Sequence, residues 1–224
     1  AKGKRTNLSA KEQEILNAWP QGVSDYTLRR ATDDIRFQLG QANKYRSGLI
    51  RSGQWRDYIE EVFRQENIPL KIALLPHVES SFNPDAYSKV GAAGLWQFTR
   101  GTGRRFMRVD HIVDERLDPY KATKAAAALL NHNYSVTGTW PLAITSYNHG
   151  SAGMRNAARV VGTSDIVEII KKYKGRTFGF ASRNFYVAFL AAIGVDENYQ
   201  KYFGEVHKLN PISPEIFTIP DYIP

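Results

Sequence analysis

A chain of 224 residues that is 42% apolar is long enough for one substantial globular domain, and with no cysteine it can hold no disulfide, thiolate nucleophile or thiolate metal site. No run approaches the ~18–20 consecutive apolar residues of a membrane helix, and the opening AKGKRTNLSA lacks the apolar core of a signal peptide. The net charge of +8 favours polyanionic partners without choosing among nucleic acid, anionic membrane surfaces and acidic wall polymers.

The basic opening, residues 1–5, reads as a mobile arm, and a helix should start at Ser9, where Glu12 completes a capping box. Pro20 and Gly22 close it. IRFQL (35–39) alternates like a short strand, and residues 41–52 read as a helix ended by Gly53. Trp55, Tyr58, Ile59, Val62 and Phe63 then form the apolar stripe of a further amphipathic helix. Pro69 suits the first turn of a helix reaching about Glu79, with a kink at Pro76. Asp118 and Pro119 form an N-cap and first-turn pair before an alanine-rich central helix over 121–134. Further helices are expected over 141–148, 151–161, 164–174 with Ser164 as N-cap, and 182–195. The spaced prolines of residues 210–224 forbid a long helix and predict an extended tail. The fold class is mainly α.

One stretch, HVESSFNPDAYSKVGAAGLWQF (77–98), concentrates chemistry. A glutamate at a helix end is more often solvated or capping than catalytic, but Glu79 sits among Ser80, Ser81 and Ser88, glycines that let backbone approach a ligand, and Trp96 beside Gln97. Apolar ring and amide together suit a sugar, whose apolar faces are edged by hydroxyls. The five histidines lack paired metal-ligand spacing. GTGRRF (101–106) lacks the lysine and spacing of a phosphate loop, so its arginines are read as meeting wall anions or solvent. Asp114 and Glu115, before Arg116, read as structural acids.

This stretch resembles the lytic transglycosylases of the goose-lysozyme-like glycoside hydrolase family 23, in particular the branch of the membrane-bound murein transglycosylase D. Residues 79–98 reproduce its ES-S-F-N-P motif and the G-A-x-G-L-W-Q-F that follows, SYNHG (146–150) is similar to its A-Y-N-x-G, and RNFYVAFLAA (183–192) to its tyrosine block. The upstream GLIRSGQWRDYIEEVFRQENIP (48–69) is also typical of that branch, so the likeness spans about 35–205.

The resemblance implies a lysozyme-like transglycosylase (SLT) domain over 66–205, a helical extension over 1–65 packed on it, and an extended tail over 206–224. It implies cleavage of the β-1,4 bond between N-acetylmuramic acid and N-acetylglucosamine, with Glu79 as sole acid and base and an anhydromuramoyl product. Ser80, Ser88, Gly94, Trp96, Gln97, Tyr147, Asn148 and Tyr186 would bind substrate, with no metal and no cofactor. It further implies a monomer acting on peptidoglycan strands in the periplasm or cell envelope, no nucleic-acid partner, and an export signal or anchor lying outside this chain. Relatives often carry C-terminal LysM repeats; none is seen here, so the chain is expected to be a catalytic fragment or an enzyme that works without them. Three features depart from the pattern: His149 after Tyr-Asn, Thr145 in place of a usual alanine, and ASRNFY (181–186), which lacks the Glu-Thr found before the tyrosine. They leave the sugar-acetylation preference open. A lysozyme-type hydrolase, with Asp85, Asp110 or Glu115 as second carboxylate, and an inactive wall-binding module remain alternatives.

Overall fold

The computed structural model describes residues 5–33 and 40–212, and the chain divides into two compact units, Ala1–Gln41 and Ala42–Pro224. The first unit holds α1 (Ala10–Asn17) and α2 (Asp25–Asp33), the latter not anticipated from the sequence. The expected capping box is formed: the Glu12 amide donates to Ser9 Oγ at 3.3 Å and the Ser9 amide to Glu12 Oε2 at 2.8 Å. The 35–39 strand, residues 1–4 of the opening arm and residues 213–224 of the tail lie outside the described residues.

In the second unit α3 (Ala42–Gln65) is a single 24-residue helix. Gly53 therefore does not end a helix, and the reason is local. A Cβ at Gly53 would sit 2.1 Å from the Leu209 carbonyl oxygen, where the Leu209 amide donates to the Ile50 carbonyl at 2.9 Å. The glycine marks a place where the returning chain crosses α3. Trp55, Ile59, Val62 and Phe63 point into the core as the stripe predicts, so α3 shares one core with segments beyond residue 65.

Pro69 precedes a 3₁₀ turn over Leu70–Leu74, and α4 (Leu75–Glu79) follows with Pro76 in its first turn. The expected kinked helix is thus two short segments, because proline is tolerated where its missing donor has no partner anyway. A long loop and α5 (Arg100–Gly103) lead to α6 (Pro119–Thr137), capped as predicted by Asp118, whose carboxylate accepts the Tyr120 and Lys121 amides. Ala122, Ala125, Ala126 and Ala127 are buried there, letting α7 (Trp140–His149) pack closely. Then come α8 (Ser151–Val161), α9 (Ile166–Lys172), α10 (Phe180–Glu197) and α11 (Tyr199–Phe203). Asp165, not Ser164, caps α9, accepting the Val167 amide at 2.8 Å. The described residues contain isolated β-bridges but no strand, and none of their helices is long and apolar enough to cross a membrane.

Candidate active site

Glu79 ends α4, and the backbone turns sharply after it: Ser81 and Phe82 have φ of 53° and 54°, a left-handed conformation that side chains disfavour. Several contacts hold the reversal. The Ser80 and Phe82 amides both donate to the Pro76 carbonyl, at 3.0 and 3.1 Å. Arg51 Nε and Nη2 donate to the Ser81 carbonyl at 3.0 and 2.7 Å. The Phe82 ring is fully buried. Strain of this kind persists only where the surroundings over-determine it, and its effect is to fix where the preceding carboxyl sits.

That carboxyl is half-buried and makes no hydrogen bond or ion pair among the described residues. Desolvation alone pushes its pKa up to about 8, so at neutral pH the acid is mostly protonated. Tyr147 is close enough that the Glu79 charge, after burial, helps drive its phenol well above the usual range.

The loop from Asn83 to Phe98 wraps around this point. The Asn83 side chain accepts the Asp85 amide at 3.1 Å, the Asx turn that carries the chain out of the helix. Ser80 Oγ donates to the Leu95 carbonyl at 2.8 Å, so this hydroxyl ties the two halves of the loop together. Ser88 Oγ accepts the Ala92 amide at 2.9 Å and keeps its proton free to donate. Gln97 spends its amide nitrogen on the Ala86 and Gly94 carbonyls, at 3.1 and 2.9 Å, leaving Oε1 free to accept.

Two expected sugar contacts are placed differently. Trp96 is fully buried, its Nε1 donating to Thr123 Oγ1 at 3.0 Å and its ring packed 5.7 Å from Phe63. It has no face to offer a sugar and instead braces the loop from beneath. Gly94, at φ 80°, lies under residues 116–117: a Cβ would come within 1.8 Å of the Arg116 carbonyl oxygen. Its lack of a side chain serves loop packing. The acids of DERLDP are structural as expected: Arg116, 2% exposed, receives Asp114 in a two-pronged pair and donates to the Gly91 and Phe98 carbonyls at 2.8 and 2.9 Å.

The opposite side comes from α7. Tyr147 donates to the Trp96 carbonyl at 2.9 Å, linking α7 to the glutamate's loop. Exposed Asn148 lines a cavity of about 310 Å³ with Tyr147, Thr99, Thr102, Arg105 and His132. Tyr186 is half-buried, its ring 6.3 Å from Phe189, and its hydroxyl has no partner among the described residues. Of the predicted site residues this cavity is lined by Tyr147 and Asn148, and not by Glu79, Ser80, Ser88, Gln97 or Tyr186; Thr99, Thr102 and Arg105 were not singled out from the sequence, where the TRGTGRR run offered only charge as a signal. Arg51 was missed too, because its role is to hold a carbonyl thirty residues away.

The family model of the transglycosylase SLT domain matches residues 57–170, about half of the chain, and the chain belongs to that family. Among curated relatives, the membrane-bound lytic murein transglycosylase D of Escherichia coli K12 is 32% identical over 133 residues, 57% of this chain and 29% of that protein. The protein of the same name from Escherichia coli O6:H1 matches to the same extent. This chain therefore corresponds to under a third of the length of these relatives. Among solved structures, the 70 kDa soluble lytic transglycosylase of Escherichia coli superposes with a TM-score of 0.52 at 21% identity, covering 68% of this chain and 25% of that one. The shared fold is lysozyme-like and helical.

Proposed function

We propose that this domain is a peptidoglycan lytic transglycosylase of the cell envelope that cleaves the β-1,4 bond after N-acetylmuramic acid, with Glu79 as its only acid and base. The observation that carries the reading is the solitary, desolvated Glu79 carboxyl, raised to about 8. A proton held at neutral pH is what a general acid needs. Glu79 gives it to the glycosidic oxygen as the C1–O bond breaks, and the substrate's acetamido oxygen stabilises the electron-poor anomeric carbon. The carboxylate so formed takes the proton of the muramoyl C6 hydroxyl as that oxygen bonds to C1. Glu79 ends protonated again, and a 1,6-anhydro end has formed without water.

Paired-carboxylate glycosidases need a second acid near the first. The candidates are engaged elsewhere. Asp110 binds Arg108 and the Ile112 and Val113 amides. Glu115 accepts the Arg108 amide and pairs with Lys121, and Asp85 is exposed on the loop. This favours the single-carboxylate route over hydrolysis. Glu79→Gln, which keeps size and loses the proton, should lower release of soluble fragments from purified sacculi by at least about 100-fold, with the helical circular dichroism unchanged. Unchanged release would remove Glu79 from the chemistry.

A further inference from the structure

Three side chains where α7 ends and α10 begins form a hydrogen-bonded relay. Ser182 Oγ lies 3.0 Å from Asn148 Oδ1 and 3.1 Å from His149 Nδ1. A hydroxyl has one proton, and a carboxamide oxygen can only accept. With the carboxamide oxygen turned to Ser182, Ser182 donates to Asn148, and it can accept from His149 only when the ring carries its proton on Nδ1.

The ring is held for this role. Phe178 meets it edge-on at 5.0 Å, and on another side it lies over Gly153, where a Cβ would come within 2.8 Å of Nε2 and Cδ2. Ser182 is buried. Burial also lowers the His149 pKa, favouring a neutral ring. Asn148, by contrast, is exposed and lines the 310 Å³ cavity, and its Nδ2 has no partner among the described residues. With Oδ1 held by Ser182, the free edge of the carboxamide is a donor.

We propose that His149, acting through Ser182, is a positioning residue that fixes the sense of the Asn148 carboxamide, so that the cavity presents an N–H donor selecting the acetamido carbonyl of an N-acetylated sugar over the ammonium of a deacetylated one. The opposite tautomer would reverse the relay. His149 would accept the Ser182 proton, the amide would turn over, and Oδ1 would face the cavity and suit an ammonium instead. The inference rests on the glycan-cleaving role proposed above and addresses the acetylation preference within it.

Two measurements test it together. Long-range ¹H–¹⁵N correlation spectra of the unsubstituted protein should show neutral His149 protonated on Nδ1; an Nε2-protonated ring would overturn the relay. Calorimetry in a Glu79→Gln background should show the N-acetylglucosamine tetramer binding more tightly than the glucosamine tetramer. That ratio should fall about threefold to tenfold, the scale of one hydrogen bond, in Ser182→Ala and His149→Ala and be retained in Ser182→Thr. An unchanged ratio in Ser182→Ala would sink the relay alone. Failure of the N-acetylglucosamine tetramer to bind would sink the functional reading and the selectivity with it.

Discussion

Replacing Glu79 by glutamine should stabilise the protein at high pH and leave its stability unchanged at low pH. The carboxyl goes from 4.5 in the unfolded chain to about 8 in the folded one. At about 1.36 kcal/mol per pH unit, that displacement corresponds to ~5 kcal/mol between the charged and neutral forms. The sign follows from proton uptake. Below about pH 4.5 both states are neutral and the folded protein bears no cost. From there to about 8 the unfolded chain ionises while folded Glu79 keeps its proton, so stability falls as pH rises. Above about 8 the folded carboxyl ionises too and the loss levels off. Glutamine does not titrate. The difference in unfolding free energy, Glu79→Gln minus the parent, should therefore grow by ~5 kcal/mol between pH 4 and 9 in paired urea titrations. A difference that stays flat across that range would show an ordinary carboxyl and refute the desolvation argument.

Arg116→Ala breaks a buried ion pair and removes donors to two carbonyls, and should cost about 3–5 kcal/mol in the same titrations. Gly94→Ala drives a methyl into the Arg116 carbonyl at a left-handed φ and should cost more than about 2 kcal/mol. Trp96→Phe leaves the ring volume largely filled but removes the donor to Thr123, a loss of about 1–3 kcal/mol. Gly53→Ala pushes residues 208–209 off α3, which should appear as faster hydrogen exchange at the Leu209 amide with the other α3 amides still protected.

The helices that bury a regular stripe or begin with a side-chain cap were legible because both signals are local: the capped starts of α1 and α6 and the apolar face of α3 needed no tertiary knowledge. Gly53 was misread because a helix stop and a close crossing require the same residue, and only the returning chain at Leu209 distinguishes them. Trp96 was misread as a sugar platform for a related reason. An indole beside a glutamine looks alike in sequence whether its ring faces a cleft or Phe63 and Thr123. Glu79 drew attention in the sequence through its motif, whereas the burial that raises its pKa depends on the tertiary fold and has no local signal. His149 stood out as a departure, but Ser182 lies more than thirty residues away in sequence, and the relay between them exists only where α7 and α10 meet.

The mass of the glycan ends released from purified sacculi tests the single-glutamate mechanism most directly. Attack by the muramoyl C6 hydroxyl predicts muropeptides ending in 1,6-anhydromuramic acid, lighter by one water than hydrolytic products and resistant to borohydride reduction. Reducing muramic acid ends as the main product would contradict it and assign the domain a water-using hydrolysis instead.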